Sequence, residues 1–130
     1  MQIVAGTTSP PAGETADASQ IILGDCIIFE NWSGALGGSG KSFNLYDSQR
    51  GHWQQTWVDD RGTLTQFTGE YRDGGMHYLA EKPGTSGSTT LRRMTLFNLD
   101  QNHVRQLGEQ SADAGRTWTV LYDFMYTRKP

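Results

Sequence analysis

The sequence predicts an all-β protein whose strands form an antiparallel up-and-down meander, closed into a β-barrel of about eight to ten strands. Short runs rich in β-branched and aromatic residues alternate along the chain with gaps rich in Gly, Asp, Asn, Ser and Pro. The gaps are short, which favours successive hairpins over long crossover connections. No stretch repeats its apolar residues at a helical period over three turns.

The predicted strands are separated by turn signals. The first apolar run, residues 21–23, ends at a Gly-Asp pair, and the second, residues 26–32, leads into a glycine-rich loop. Seven further runs follow in order: "SFNLYD", "HWQQTWVD", "TLTQFTGEY", "MHYLAEK", "TTLRRMTLFN", "HVRQLGEQ" and "WTVLYDFMYTRK". Each run has the length of an ordinary strand.

Alternation within the runs indicates which side chains share a face of the sheet. Trp53, Gln55 and Trp57 lie on one face of their strand. A nearly all-apolar face in the last run comprises Trp118, Val120, Tyr122, Phe124 and Tyr126. A meander with one apolar face must enclose that face, and closure into a barrel does so while removing the exposed edges. A two-sheet sandwich is the alternative, but it usually needs longer crossing connections.

The chain divides into a short amino-terminal part and a barrel domain. Residues 1–19 are predicted to be an arm or an irregular first strand, because "TTSPPAGETADAS" consists of Pro, Gly and small or polar residues. Residues 20–130 are predicted to form the barrel. If the arm is loose, its "MQIVA" segment is expected to pair with a neighbouring subunit. The amino terminus lacks the pattern of a signal peptide, so we expect a cytoplasmic protein.

Composition and charge argue against several classes of protein. A chain of 130 residues is long enough for one domain with a substantial core. Its net charge is -3 with acids and bases mixed along the chain, so we expect neither nucleic-acid nor membrane binding. No apolar run approaches the length of a transmembrane segment. The single cysteine, Cys26, excludes an intrachain disulfide, and its apolar neighbours predict a buried thiol.

Residues 35–42, "ALGGSGKS", fit a loosened phosphate-binding loop. Such a loop wraps phosphate with backbone N–H groups at the start of a helix, so a helix must follow it directly. The residues after it alternate in polarity and turn at residues 47–51, which argues against a helix starting at Ser42. The prediction is therefore a flexible hairpin loop, which could act as a lid over the mouth of the barrel.

Residues 111–118, "SADAGRTW", match the Asp-box pattern of the hairpin turns in sialidase-type propellers. A propeller needs this unit in every blade, whereas here it occurs once, so we interpret the match as a structural turn. Asp113 is expected to accept hydrogen bonds from the backbone of the turn. Gly115 is expected to adopt a conformation costly for other residues, and Trp118 to pack under the turn.

The sequence predicts no metal ion and no cofactor. His52, His77 and His103 are never closely spaced, and the single cysteine adds no pair of ligands. No nucleophile-elbow pattern marks a serine triad. Asp59 and Asp60 lie in a tight turn and are expected to be solvated rather than to act as a catalytic carboxylate pair.

Polar residues within otherwise apolar strands predict a partly polar cavity lined by large aromatic rings. The candidate ligand-binding residues are Glu30, Trp32, Gln55, Trp57, Arg105, Glu109 and Tyr126. A buried Arg105 needs a partner, and Glu30 or Glu109 is the expected one. A filled interior is the alternative, because small barrels can be packed solid.

The leading functional hypothesis is a non-catalytic barrel that binds a small, largely apolar molecule, gripped by Trp32, Trp57 and Tyr126. Two alternatives stay open. The first is an enzyme that uses the same pocket, with Arg105 stabilising an anion and a glutamate as general base. The second is a filled barrel that acts as an interaction module through a surface or a dimer edge.

Five segments of the chain resemble, in order and spacing, a family of uncharacterised bacterial lipocalin-like proteins. These segments are "GDCIIFENWSG", "GKSFNLYD", "HWQQTWVDDRGTL", "VRQLGEQSADAGRTW" and "YDFMYTRK". The resemblance covers roughly residues 20–128. It implies a calycin-type antiparallel barrel and, by analogy of fold alone, a small apolar ligand. It implies no known activity.

Two departures from the family pattern are visible. The family opens with a Gly-Glu-Trp strand that this chain lacks, and Leu107 and Gly108 stand where a bulky aromatic residue is common. A missing first strand leaves an edge of the sheet open, which favours a homodimer through strand pairing. Compact variants of this kind also occur as products of mobile gene cassettes, which is our hypothesis for the origin of the chain.

Overall fold

Nine antiparallel strands make up the protein in a computed structural model that describes residues 15–84 and 87–128. The strands are β1 (Ala16–Ile22), β2 (Ile27–Ser33), β3 (Ser39–Asp47), β4 (His52–Asp59), β5 (Leu64–Arg72), β6 (Gly75–Pro83), β7 (Thr89–Asn98), β8 (His103–Ser111) and β9 (Thr119–Thr127). They form one sheet in sequence order, without an α-helix in the residues described. Consequently, no helix in this part of the chain could span a membrane. The predicted all-β meander is confirmed.

The turns use the residue types that predicted them. Asp73 and Gly74 join β5 to β6, and both have positive φ, 50° and 74°. This is the geometry of a two-residue type I′ turn, whose twist matches that of the flanking strands. An Asp-Gly pair suits it, because glycine and aspartate tolerate the left-handed conformation better than most residues.

Cys26 lies in the connection between β1 and β2. The three residues before it all have left-handed backbone conformations, so the chain is still turning when it reaches the cysteine. The Cys26 side chain is exposed. The predicted buried thiol is therefore wrong, because the strand begins only at Ile27, one residue later.

The sheet curls into a half-barrel, and side chains from its two ends meet across the concave side. The edge strands β1 and β9 form no backbone pairing with each other in the part of the chain described. The Trp32 indole N–H on β2 instead donates to the Tyr126 hydroxyl on β9 at 3.0 Å. The rings of Trp32 and Phe124 also lie 6.3 Å apart between centroids.

Register places one row of side chains from neighbouring strands on the concave face. Glu30 on β2 pairs with Ser42 on β3, Ser42 pairs with Trp57 on β4, and Trp57 pairs with Thr65 on β5. Directly paired residues point to the same side of a sheet. The predicted shared face of Trp53, Gln55 and Trp57 is confirmed as part of this concave side.

The tightly packed part of the core lies near the β5–β6 turn. Its buried members are Phe67, Met76, Tyr78, Ala80 and Met94, with Trp53 and Leu96 packed against them. Met76 and Tyr78 are 0% and 1% exposed, so this end of the half-barrel is filled. Burial of these side chains is the main source of stability that the fold offers.

A β-bulge interrupts the last hairpin. Gly108 pairs with Tyr122, but Glu109 pairs with Val120, so Leu121 is an extra residue on β9. Because one residue is inserted, the side chains before the bulge change faces relative to those after it. Val120 therefore lies on the same convex face as Glu109.

The bulge also carries Trp118 to the convex face. Its ring stacks on the Arg93 guanidinium at 3.9 Å, and Arg93 forms two hydrogen bonds of 3.0 Å with the Glu109 carboxylate. The predicted apolar face that runs from Trp118 through the whole last strand is therefore wrong. Its concave members are Tyr122, Phe124 and Tyr126.

The Asp-box turn has the predicted local structure. Asp113 accepts hydrogen bonds from the Thr117 hydroxyl and backbone N–H, which lower the pKa of its carboxyl to about 2. Gly115 has a φ of 88°, and the Trp118 indole N–H donates to the Gly115 carbonyl at 3.1 Å. The motif therefore stabilises the hairpin between β8 and β9.

The glycine-rich loop, residues 34–38, connects β2 to β3 as a hairpin, and Ser42 lies within a strand, as predicted. The loop is tied to the next turn on the same end of the sheet. The Ser39 N–H donates to Asp60 Oδ2 at 3.2 Å, and the Asp60 N–H donates to the Ser39 carbonyl at 3.0 Å.

Strand β1 begins at Ala16 and runs across the expected boundary at residue 19. Residues 16–19 therefore pair with β2 as part of the sheet. The "MQIVA" segment, for which pairing with a second subunit was predicted, lies outside the described residues.

Candidate functional site

A cavity of about 200 Å³ lies on the concave side, between the packed core and the β4–β5 turn. Its walls are mainly aromatic and contain a small number of polar groups. The lining residues are Glu30, Trp32, Gln55, Trp57, Asp59, Thr63, Thr65, Phe67, Arg92, Met94, Gln106, Tyr122 and Phe124. Six strands and one turn contribute to this wall, so the curl of the sheet builds the site.

Four of the seven predicted ligand-binding residues line this cavity: Glu30, Trp32, Gln55 and Trp57. The rings of Trp32 and Trp57 meet edge to face, with centroids 5.9 Å apart. Tyr126 is buried behind the wall and holds Trp32 through its hydroxyl. Burial raises the pKa of Tyr126, so this hydroxyl stays protonated at neutral pH.

Arg105 and Glu109 lie on the convex face and away from the cavity. Arg105 binds the Asp123 carboxylate at 2.9 and 2.8 Å, and Glu109 binds Arg93. The expected pairing of Arg105 with Glu30 or Glu109 is therefore wrong. The physical reason is the alternation of side chains along a strand, because Arg105 and Glu109 lie on the face opposite to that of the buried residues Val104, Gln106 and Gly108.

A chain of hydrogen bonds runs along the inner wall from Glu30. The Ser42 hydroxyl donates to Glu30 Oε1 at 2.6 Å, and Asn44 Nδ2 donates to Ser42 Oγ at 2.8 Å. Gln55 Nε2 and the Tyr78 hydroxyl both donate to Asn44 Oδ1, at 2.9 and 3.2 Å. These neutral partners hold the Glu30 carboxylate in one orientation.

Asp17 and Glu30 form a buried carboxyl pair at the start of this chain. Burial raises the pKa of Asp17 strongly, and the negative charge of Glu30 and a hydrogen bond between the two groups raise it further. Asp17 is therefore protonated at neutral pH and donates to Glu30. The proton stays on Asp17 because a second negative charge beside Glu30 within an enclosed site is unfavourable.

Asp59 lies at the end of β4, on the side of the cavity near the β4–β5 turn. Burial acts to raise the pKa of its carboxyl, but hydrogen bonds from Thr63, Arg61 and the Trp57 indole outweigh it and lower the pKa. Asp59 therefore remains ionised. It is half-buried and caps its own turn, whereas Asp60 is exposed, so the expectation of two solvated carboxylates holds only for Asp60.

Two cations accompany Asp59 at this end of the cavity. Lys82 Nζ donates to the Thr65 hydroxyl at 2.6 Å, and Arg92 contributes directly to the wall. Burial lowers the pKa of Lys82, and the positive charge of Arg92 lowers it further, which indicates that the two cations are close. The end of the cavity near the β4–β5 turn therefore combines two basic groups, Lys82 and Arg92, with one carboxylate, that of Asp59.

Arg92 is a polar group of the cavity wall that has a buried atom without a hydrogen-bond partner among the described residues. Its Nε is buried and has no hydrogen-bond partner, and Arg92 takes part in no ion pair among the residues that the structure describes. An arginine keeps its charge at any physiological pH. A buried donor without an acceptor costs free energy, so this group is open to an incoming anion.

A second unsatisfied group lies on β8, the strand next to that of Arg92. Gln106 Nε2 contacts Met94 Sδ at 3.0 Å and the Tyr122 hydroxyl at 3.4 Å, while Gln106 Oε1 is buried without a partner in the described part of the chain. The Tyr122 ring lies flat against Gly108, where a Cβ would meet it at 2.3 Å. Gly108 therefore makes room for the ring of the next strand.

Sequence reasoning missed the other nine lining residues, among them Arg92, Met94 and Gln106. Each of the two strands β7 and β8 carries polar and apolar residues on both faces, so periodicity alone does not select a face. An indirect signal for the inward face of β8 was present in the next strand. The face of β9 that carries Tyr122 and Phe124 is clearly apolar, and the residues of β8 that pair with these two point inward.

Comparison with known proteins gives no direct indication of function, so the cavity is the main source of functional information. No protein-family model matches the chain, and no curated protein sequence matches it significantly. The resemblance to lipocalin-like proteins therefore stays a prediction. Among the described residues, no group of three or more His, Cys, Asp or Glu side chains is placed to hold a metal ion.

Proposed function

We propose that the protein is a binding protein for a small, largely apolar molecule, which occupies the cavity on the concave side of the sheet. The main observation in support of this proposal is the cavity, which has aromatic walls and few polar groups. Ligand sites are typically concave and apolar, with a small number of polar groups that orient the ligand. The proposal includes a lipocalin-like closure of the interior, supported by the contacts of Trp32 with Tyr126 and Phe124.

The cavity volume limits the size of the ligand. At about 200 Å³ it is smaller than the pockets of drug-sized molecules. A buried apolar cavity of about 150 Å³ is sufficient for benzene. The proposed ligand is therefore a molecule of about one ring or a short aliphatic chain.

The first test uses native mass spectrometry and thermal unfolding. We expect a native mass that exceeds the denatured mass by one small molecule, or a rise in melting temperature when neutral rings such as benzyl alcohol or phenol are added, because a ligand stabilises the folded state by mass action. The Thr65→Phe variant should lose this shift, because Thr65 is buried in the cavity wall.

The matched control is Thr68→Phe, which places the same ring on the exposed side of the same strand. Thr68→Phe should retain the ligand-induced shift. If neutral rings and aliphatic molecules leave the melting temperature of the wild-type chain unchanged, and the purified protein carries no extra mass, the binding proposal is wrong.

A homodimer formed through β9 is a second candidate, and the open edge of the sheet favours it. Val120, Leu121 and Met125 on this edge strand are 57%, 41% and 56% exposed. Apolar edge strands pair readily with other chains unless charges protect them. The second copy would add its own β9 to the sheet.

Sedimentation velocity tests the dimer. Wild-type protein should sediment as a dimer, and Met125→Lys should shift it towards monomer because a charge on an edge strand opposes pairing. Leu79→Lys is the control, since Leu79 is similarly exposed but belongs to an internal strand. A monomer over the whole concentration range would argue against this candidate.

A further inference from the structure

We infer that the ligand of this cavity is a small monocarboxylate with a single-ring body, and that Arg92 binds its carboxylate. This inference rests on the proposed binding function and adds a chemical class to it. It begins from the unsatisfied guanidinium, whose buried Nε has neither a hydrogen-bond partner nor an ion-pair partner among the described residues.

The charges around the cavity favour an anion at one end. Lys82 and Arg92 lie on the side of the β4–β5 turn together with one carboxylate, that of Asp59. The Asp59 oxygens already accept hydrogen bonds from the turn and from Trp57, and the Lys82 ammonium is held by the Thr65 hydroxyl and the Leu64 carbonyl. Arg92 is therefore the cation left to recognise a ligand.

The charge on the inner wall sets the orientation of the ligand. Glu30 is buried, and its carboxylate accepts hydrogen bonds from Ser42 and from protonated Asp17. It repels a second carboxylate and needs no further donor. A carboxylate ligand therefore directs its charge away from Glu30 and towards Arg92.

The remaining wall accommodates a ring. Trp32, Phe67, Met94 and Phe124 supply apolar surface, and the volume of about 200 Å³ leaves room for little more than one ring with its substituent. Arginine suits such a ligand because its planar guanidinium donates two parallel hydrogen bonds to a carboxylate. Benzoate is the simplest probe with both features.

Isothermal titration calorimetry with three probes of similar size tests the inference. Benzoate is the anion, benzamide its neutral counterpart and benzyl alcohol a neutral ring. Wild-type protein should bind benzoate about tenfold to a hundredfold more tightly than benzamide, as expected for one charge-assisted contact. Arg92→Gln should abolish this preference, so that the variant binds benzoate no more tightly than benzamide.

The neighbouring arginine provides a matched control. Arg93→Gln removes the same charge one residue away, but on the convex face, where Arg93 contacts Glu109 and Trp118. It should keep the preference for benzoate. If Arg92→Gln fails to fold, Arg92→Lys takes its place. This variant keeps the charge but loses the paired donors, so its preference for benzoate over benzamide should be reduced. The comparison of the three probes on the wild-type chain needs no variant.

The outcomes separate this inference from the proposed function. If benzyl alcohol binds but benzoate and benzamide bind equally, the cavity binds rings and the role of Arg92 is wrong. The same conclusion follows if Arg92→Gln folds and keeps the preference for benzoate. If none of the three probes binds, both the carboxylate inference and the proposed binding of single rings are overturned.

Discussion

Replacing Tyr78 by Ala should lower the free energy of unfolding by about 3–5 kcal/mol, the usual cost of removing a large buried aromatic side chain. Tyr78 is 1% exposed, and its ring packs against Phe67 with centroids 6.0 Å apart. Deletion of the ring leaves a cavity that the rigid sheet can fill only in part. Such a loss is a large fraction of the stability of an ordinary domain.

The Tyr78→Phe variant separates packing from hydrogen bonding. It keeps the ring and removes only the hydroxyl that donates to Asn44 Oδ1 at 3.2 Å. Asn44 Oδ1 keeps its second donor, Gln55, so the expected loss is only about 1 kcal/mol. Denaturant unfolding followed by circular dichroism measures both variants.

Tyr71→Ala is the control for Tyr78→Ala, since Tyr71 lies at the end of β5 with an exposed ring. Its removal should change stability by no more than about 0.5 kcal/mol. Equal losses in Tyr71→Ala and Tyr78→Ala would mean that the ring of Tyr78 is not part of the packed core.

Replacing Asp17 by Asn should make the protein more stable at neutral and alkaline pH and less sensitive to pH. Burial and the charge of Glu30 raise the pKa of Asp17 above its ordinary value of 3.8. The folded chain therefore keeps a proton that the unfolded chain loses above that pH. Stability is then greatest below the unfolded pKa and falls as the pH rises towards the raised folded pKa.

The size of this effect has an upper limit. One proton retained only by the folded state lowers the free energy of unfolding by at most about 1.4 kcal/mol per pH unit. An asparagine side chain does not titrate, so Asp17→Asn abolishes the difference in bound protons between the folded and the unfolded chain. The amide N–H of the new side chain can still donate to Glu30. Unfolding free energies of both chains between about pH 5 and about pH 8 should therefore diverge as the pH rises.

Carboxyl groups whose pKa is lowered in the folded chain do not affect the comparison between about pH 5 and about pH 8. Asp113 has a pKa lowered to about 2 by the Thr117 hydroxyl, so its stabilising charge is already present above the unfolded pKa and is lost only in acid. Glu81→Gln is the control, because Glu81 is an exposed acid on the convex face of β6. If Asp17→Asn has the same pH slope as the wild-type chain, Asp17 does not hold the proton.

The strand pattern was predictable because turns and alternation are local properties. Pairs such as Asp73-Gly74 force a reversal through backbone conformation alone, and Trp53, Gln55 and Trp57 of β4 share one face because they follow one another at every second residue. The Asp-box turn was likewise predictable, since Asp113 accepts its hydrogen bonds within the same hairpin. Cys26 was misplaced because an apolar neighbourhood does not show where a turn ends.

The functional residues were only partly predictable. Glu30, Trp32, Gln55 and Trp57 were found because each polar residue shares a face of its strand with a tryptophan, at a spacing of two residues. The sequence could not show whether Arg92 or Arg105 faces the cavity, because β7 and β8 carry charged and apolar residues on both faces. Which arginine points inward depends on register, and a shift of one residue would exchange the two sides.

By itself, then, the sequence determined the class of fold, the order of the strands and most of the turns, because these depend on residues close together in the chain. Only the tertiary structure decided that the bulge at Leu121 turns Trp118 outward and that Asp17 is buried beside Glu30 and keeps its proton. It alone also decided that Arg92 lines the cavity and finds no partner for its Nε among the residues described. These features depend on the exact register of the strands and on the curl of the sheet, because burial and contact between charged groups arise only once the strands have paired in that register.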